Sequence, residues 1–241
     1  MYEKWKGVHT RCAFNMIQEL IPLTRPRTLA AALGPTILGA AFSYYAFGAA
    51  QGTGLAILHT VLIFLAVVTA QIVANLWNEY KDFKSGLDAG QKVGNAGSIT
   101  RGVITPELII TMIKVLMFVP IIIGLYLSTT ITWYYIPVGF LCILISFLYS
   151  GGPKPISRTP FGEISSGIAM GFAIVLITGY AWTRELSLAL LIPAIPSTLL
   201  VGSIMLTNNI RDIRNDESHG RHTLPIMLGR ERALSLMSIS Y

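Results

Sequence analysis

Two segments of the chain concentrate the side chains that hold hard cations. The first reads Asn75-Leu-Trp-Asn78-Glu79-Tyr-Lys-Asp82-Phe-Lys-Ser-Gly-Leu-Asp88. On a helix, Asn75, Asn78, Glu79 and Asp82 stand three or four residues apart and share one face. A break near Ser85-Gly86 lets Asp88 fold back towards them. The second segment reads Asn208-Asn209-Ile-Arg211-Asp212-Ile-Arg-Asn-Asp216 and runs on to His219-Gly220-Arg221. Here Asn208, Asp212 and Asp216 recur every fourth residue, again on one helical face. Carboxylate and amide oxygens suit Mg²⁺, which typically takes one or two carboxylates together with substrate phosphates. The basic residues Arg101, Lys154, Arg158 and Arg221 lie in the neighbouring segments and are suited to phosphate oxygens. Acids and bases mixed in this way fit a diphosphate held through a cation better than they fit a bare metal sensor. Ordinary solvated charges capping helix ends would explain either cluster alone; two Asn-led clusters at corresponding helix ends favour the cage.

The elements that position these clusters follow from composition. Of 241 residues 53% are hydrophobic and only 12% charged, and the mean hydropathy is +0.60. A soluble domain carries about 25% charged residues, so this chain has too little charge to coat a globule in water. Disorder requires the opposite composition. Two cysteines, Cys12 and Cys142, make no disulfide framework. Six apolar runs, roughly 28–48, 55–77, 104–127, 131–150, 162–182 and 187–207, each approach the ~20 residues that a helix needs to cross a bilayer. The predicted fold class is therefore all-α, a polytopic transmembrane helical bundle. Gly34-Pro35 and Gly39 in the first run mark a kink and a close helix approach. Lys114, the one basic residue deep in a run, either snorkels or lines a cavity.

The net charge of +6 does not point to nucleic acid, because its placement follows the spans. Sixteen of the 18 Lys and Arg fall in the leader and in the segments after the second, fourth and sixth spans. Arg184 alone falls on the other side, and Glu185 is the only acid there. Such asymmetry places the N-terminus and both Asp-rich segments in the cytoplasm. Four spans separate Asp82 from Asp212, an even number, so both clusters emerge on one side.

At these residues the chain resembles the UbiA superfamily of intramembrane prenyltransferases. Members carry an Asn-Asp-x-x-Asp-type motif after helix 2 and an Asp-x-x-x-Asp-type motif after helix 6; here they read Asn78-Glu79-x-x-Asp82 and Asp212-x-x-x-Asp216. The strings NEYKDFKSGLD at 78–88, GSITRGVITPE at 97–107, YSGGPKP at 149–155 with FGE at 161–163, and NNIRDIRNDESHGRHTLPIMLGR at 208–230 are most similar to the branch that prenylates 1,4-dihydroxy-2-naphthoate in menaquinone biosynthesis. Glu79 departs from the commoner Asp but keeps the carboxylate.

The resemblance implies Mg²⁺-dependent transfer of a polyprenyl group from polyprenyl diphosphate to that naphthoate, with loss of the ring carboxylate and formation of demethylmenaquinone. It implies a metal set of Asn78, Glu79, Asp82, Asp88, Asn208, Asp212 and Asp216, and diphosphate contacts from Arg101, Lys154, Arg158 and Arg221. Asp82, Asp212 and Asp216 would be catalytic. Tyr149 either stabilises the allylic cation through its ring or is an interfacial tyrosine. The family has nine spans and six are readable here, so the expectation is a leader, 1–27, and one domain, 28–241, lacking three C-terminal helices. Another aromatic acceptor (4-hydroxybenzoate, homogentisate or haem) is the main alternative. A secondary transporter fits less well, since its ionisable groups would lie near the bilayer midplane. Glu163 reads as an acid complementing a helix N-terminus, and His219 as a polar loop residue.

The charge asymmetry makes a direct prediction. In a background lacking Cys12 and Cys142, a single cysteine at Ser187 should react with an impermeant maleimide in intact cells. One at Ser85 should react only after permeabilisation, and the opposite pattern would reverse the orientation.

Overall fold

The computed structural model describes residues 20–86 and 98–240, and among them every regular element is helical. Asp88 lies outside the described residues. The six apolar runs become α1 (Ala30–Phe47), α2 (Thr53–Ser85), α3 (Pro106–Thr130), α4 (Tyr135–Ser150), α5 (Gly162–Thr183) and α6 (Leu191–Ser218). Two short helices follow, α7 (Leu224–Leu228) and α8 (Arg230–Ile239). Five of the six are long and apolar enough to cross a membrane. α4 is the exception at 16 residues, about 24 Å against a bilayer core of about 30 Å. The predicted run began at 131, but residues 132–134 form a turn in which Tyr135 and Ile136 donate their backbone N–H to the carbonyls of Thr132 and Trp133.

Two helices outrun their apolar segments. α2 has 33 residues, about 50 Å of helix, so its last turns extend past the hydrocarbon and carry Asn78, Glu79 and Asp82. α6 does the same with Asn208, Asp212 and Asp216. α2 stops at Gly86, whose φ of 76° is a left-handed cap that donates to the carbonyls of Asp82 and Phe83. α3 starts on Pro106 with Thr105 as N-cap, its hydroxyl accepting from Leu108 N at 3.2 Å.

The outward surface of α3 and α4 is apolar. Val115, Phe118, Ile122 and Leu125 on α3, and Phe140, Leu141, Leu144 and Leu148 on α4, are all exposed. That surface suits lipid and not water. Beneath the Asp-rich ends lies a core of Leu23, Val73, Leu76, Ile99, Ile104, Ile109 and Ile113, which joins α2 to α3 and to the segment before α3.

Close approach between helices comes from small residues, as expected where lipid supplies no hydrophobic drive for association. Gly39 of α1 faces the Val175 backbone of α5, where a Cβ would sit 2.8 Å from the carbonyl oxygen. α1 runs as one helix through Pro35. Gly167 and Gly171 lie in a π-helical stretch of α5 (Gly167–Phe172) and press on the Ser197 and Thr198 backbone of α6, where a Cβ would come within 2.6 Å. A Gly171→Val substitution should therefore cost about 1–3 kcal/mol of overpacking. It is expected to lower the melting temperature of the detergent-solubilised protein, with unchanged helical content at low temperature.

Candidate functional site

The two Asp-bearing helix ends meet through one guanidinium. Arg221 Nη2 lies 3.3 Å from Asp82 Oδ1, and Arg221 Nη1 lies 3.2 Å from Asp216 Oδ1. The Asp216 side chain is only 3% exposed, and those of Asp82 and Arg221 are 14% and 13% exposed. Gly220, at φ 67°, turns the chain after α6, and Arg221 N donates to the Asp216 carbonyl at 3.0 Å. Both contacts fold the guanidinium back over the end of its own helix. The next residue ties this turn to another loop, His222 N donating to the Arg158 carbonyl at 3.0 Å. Arg158 and Arg25 add positive charge around Asp82, and Asp212 adds negative charge beside Asp216.

The remaining predicted residues are distributed around this pair. Glu79 is buried and its Oε1 accepts from Ser98 N at 2.6 Å, so it fastens the segment entering α3 onto α2. Arg101 Nη2 reaches Ser98 Oγ at 3.3 Å. Asp212 is held at the surface by Arg211, at 2.7 and 2.9 Å. Asn78 and Asn208 are half-buried, and Lys154 is exposed. Among the described residues no three His, Cys, Asp or Glu side chains converge into a ready metal centre. The reason is visible in the contacts: Glu79 serves a backbone N–H, Asp212 pairs with its neighbour, and a guanidinium stands between Asp82 and Asp216.

That guanidinium also tests the fit of a cation. It is a positive group seated between two carboxylates contributed by both motifs, with amide-bearing Asn78 and Asn208 on the same helix ends. The donor set is all oxygen, two carboxylates flanked by amides, which is the chemistry Mg²⁺ takes in company with substrate phosphates. Arg221 Nε is buried and has no partner among the described residues, so the arginine keeps a donor for a further acceptor.

Tyr149, at the end of α4, has its hydroxyl over Gly162, where a Cβ would lie 3.5 Å away. Ser166, Glu163, Arg221 and Arg25 all lie close enough to act on it electrostatically. Just beyond Tyr149, Gly151 lets the chain pass close to α2: a Cβ there would sit 2.7 Å from the Phe147 carbonyl and 3.0 Å from the Trp77 indole nitrogen. Trp77 Nε1 itself donates to Phe147 O at 3.0 Å. Lys114 lines a cleft of about 330 Å³ with Tyr80, Glu107 and Thr111 on the outer flank of α2 and α3, away from the acidic pair.

Spacing along the chain did not reveal Arg25 or the partnership of Glu163. Arg25, counted among leader charges, is delivered by polar side chains one helical turn apart on α2. Gln71 Nε2 donates to Thr28 O at 2.7 Å, and Asn75 Nδ2 donates to Thr24 O at 3.1 Å. Glu163 is buried and accepts from Asn209 Nδ2 at 2.8 Å. The only signal for either was chemical, an arginine and an acid flanking apolar spans.

The UbiA prenyltransferase family model matches residues 32–241. The chain belongs to the UbiA prenyltransferase family. It is 38% identical over 231 residues to the 1,4-dihydroxy-2-naphthoate octaprenyltransferase of Bacillus subtilis, covering 94% of this chain and 71% of that protein. The Escherichia coli protein of the same name is 29% identical, with 93% and 73% covered. Among solved structures, a UbiA homolog from Archaeoglobus fulgidus bound to GPP and Mg²⁺ superposes with a TM-score of 0.69 at 18% identity, covering 92% of this chain and 73% of that one. An apo UbiA homolog from Aeropyrum pernix gives 0.64 at 21%, with 89% and 74% covered. The UbiA member described here is therefore a membrane-embedded helical transferase.

The bridging contact yields a stability prediction. Arg221→Met leaves two nearly buried carboxylates facing each other, a loss of the order of 3–5 kcal/mol. The variant should melt well below the parent in the absence of divalent cations. Added Mg²⁺ should raise its melting temperature more than it raises the parent's; an equal rise in both would mean that Mg²⁺ does not bind between Asp82 and Asp216.

Proposed function

We propose that this protein transfers a polyprenyl group from a polyprenyl diphosphate to 1,4-dihydroxy-2-naphthoate, in a Mg²⁺-dependent step of menaquinone biosynthesis. The structural observation that carries the reading is the single cation bridging Asp82 and Asp216 at the ends of two long helices. The choice of acceptor is supported by the names of the bacterial relatives. In this reading the N-terminus and both Asp-rich ends face the cytoplasm, where a water-soluble naphthoate and the diphosphate headgroup both arrive. The isoprenoid tail lies among the apolar helices.

Asp82, Asp212 and Asp216 would hold the cation, with Asn78, Glu79, Asp88 and Asn208 completing its oxygen ligands. Bound there, Mg²⁺ would neutralise the diphosphate and make it a better leaving group. Arg221 and Arg158 would bind phosphate oxygens directly, with Arg25, Arg101 and Lys154 adding charge at the rim. As the allylic C–O bond breaks, its electron pair leaves with the diphosphate, and these side chains receive the added negative charge. The Tyr149 ring would face the allylic cation, while the surrounding helices exclude water that would otherwise capture it. A ring carbon of the naphthoate then forms the new C–C bond. The ring carboxylate departs as CO₂, giving demethylmenaquinone in its quinol form.

Membranes containing the protein should transfer a labelled prenyl group to 1,4-dihydroxy-2-naphthoate only when Mg²⁺ is present. Asp82→Ala and Asp216→Ala should each reduce transfer roughly 100-fold or more, the scale of losing one preorganised charge-stabilising group. Normal turnover in either variant would sink the two-motif site. Transfer to 4-hydroxybenzoate but not to the naphthoate would keep the chemistry and reject the acceptor.

A further inference from the structure

Lys114 puts a charge on a helix flank that otherwise faces lipid. It stands eight residues into α3, about 12 Å along the axis from Pro106. Its side chain is exposed, and so are Val115, Phe118, Ile122 and Leu125 beside and beyond it. An ammonium on such a surface is costly unless a polar group meets it. Among the described residues none hydrogen-bonds to Lys114 or forms an ion pair with it.

Glu107 and Thr111 accompany it. The steps of four and three residues place Glu107, Thr111 and Lys114 on one face of α3. All three line a cleft of about 330 Å³ that Tyr80 of α2 closes on the other side, a volume at the small end of ligand-sized clefts, roughly 300–1,000 Å³. The Glu107 carboxylate also lacks a partner among the described residues. Two helical turns, about 10.5 Å along the axis, separate residues 107 and 114, so the two charges do not simply neutralise each other. Both nevertheless line the same cleft, and one ligand can touch both. Helical side chains lean towards the helix N-terminus, which carries Lys114 towards Thr111. The Thr111 hydroxyl already donates to the Glu107 carbonyl at 2.8 Å, so what it offers the cleft is an acceptor.

The order of groups along this flank is that of an amphiphile. From the middle of the bundle outwards come apolar Leu125, Ile122 and Phe118, then a cation at Lys114, a hydroxyl at Thr111, and an anion at Glu107. Residues 111, 114, 118, 122 and 125 follow one another by threes and fours and form a continuous stripe. An ethanolamine phospholipid presents the complement in the same order: acyl chains, a phosphate, and an ammonium beyond it. A headgroup that ends in glycerol sets no positive charge against Glu107. A free phosphate uses none of the apolar stripe.

We propose that this flank of α2 and α3 binds a phospholipid whose headgroup carries a primary ammonium beyond its phosphate, with the phosphate on Lys114 and the ammonium on Glu107. The site lies apart from the Asp82–Asp216 pair and is independent of the reaction proposed there.

The test offers the protein, in detergent micelles, phosphatidylethanolamine, phosphatidylglycerol and phosphatidylcholine with identical acyl chains, and counts retained lipid by native mass spectrometry. The parent should retain phosphatidylethanolamine about fivefold better than phosphatidylglycerol, which has no ammonium. The same margin is expected over phosphatidylcholine, whose quaternary ammonium has no N–H for a charge-assisted hydrogen bond. Glu107→Gln should bring phosphatidylethanolamine down to the level of phosphatidylglycerol and leave phosphatidylglycerol no weaker. Lys114→Met should weaken both about fivefold, because each presents a phosphate. Both side chains are exposed, so both variants should melt as the parent does. Equal retention of the three lipids by the parent would mean that Lys114 only snorkels to bulk headgroups, and would overturn the proposal without recourse to any variant. A parent that prefers phosphatidylglycerol, a Glu107→Gln variant that keeps the ethanolamine preference, or a Lys114→Met variant that retains phosphatidylethanolamine like the parent would overturn it as well.

Discussion

Two carboxylates brought close together out of water repel one another unless positive charge lies between them. The Asp-rich end of this bundle is organised around that constraint. Asp82 and Asp216 belong to helices 139 and five residues, respectively, from the arginine that joins them. Arg221 meets the requirement at 3.2 and 3.3 Å, and the loops around it are arranged to hold it there. Gly220 turns the chain, His222 ties the turn to the Arg158 loop, and Arg25 and Arg158 contribute further charge. In the proposed reaction, a diphosphate arriving with a divalent cation would meet the same balance of charges.

That arrangement needs helix ends held in place without help from the hydrophobic effect, since lipid solvates the outer faces as well as another helix would. Contact between helices therefore relies on shape and on hydrogen bonds. Gly39, Gly167 and Gly171 bring backbones together, and the π-helical stretch of α5 coincides with two of these contacts. Gln71 and Asn75 tie α2 to the strand-free segment that carries Arg25. At the opposite end of the bundle, Arg184 donates to Ile131 O at 2.7 Å and to Gln51, which also contacts the buried His59. The lone basic residue on that side is thus accounted for by loop fastening, and it does not weaken the charge asymmetry as a guide to orientation.

Much of this was legible in the order of residues. The apolar runs mark six helices to within a few residues, and α2 and α6 continue as helices beyond the lipid, as the three- and four-residue spacing of their Asn and Asp requires. The chief departure in the fold is the short α4, where aromatic residues form a turn that hydropathy counts as span. At the site, the even span count puts the Asp82 and Asp216 clusters on one face, and the structure brings both carboxylates to Arg221, but spacing treats every acid on a face as equivalent. The structure separates them: Glu79 caps the Ser98 backbone, Asp212 pairs with Arg211, and Glu163 is drawn inward to Asn209.

The sequence by itself determined the helical class, the approximate spans, the uneven distribution of charge and the two oxygen-rich helix ends. Each of these is local, set by transfer of side chains between water and lipid or by the 3.6-residue helical repeat. Only the tertiary structure decided which charged groups meet. Arg221 between Asp82 and Asp216, and Asn209 against Glu163, are contacts between segments far apart in the chain or across a turn, and Arg25 is brought near enough to act on Asp82 electrostatically. They depend on how closely glycines let helices approach and on which polar groups must be satisfied once water is excluded, and neither is written in the spacing of residues along one helix.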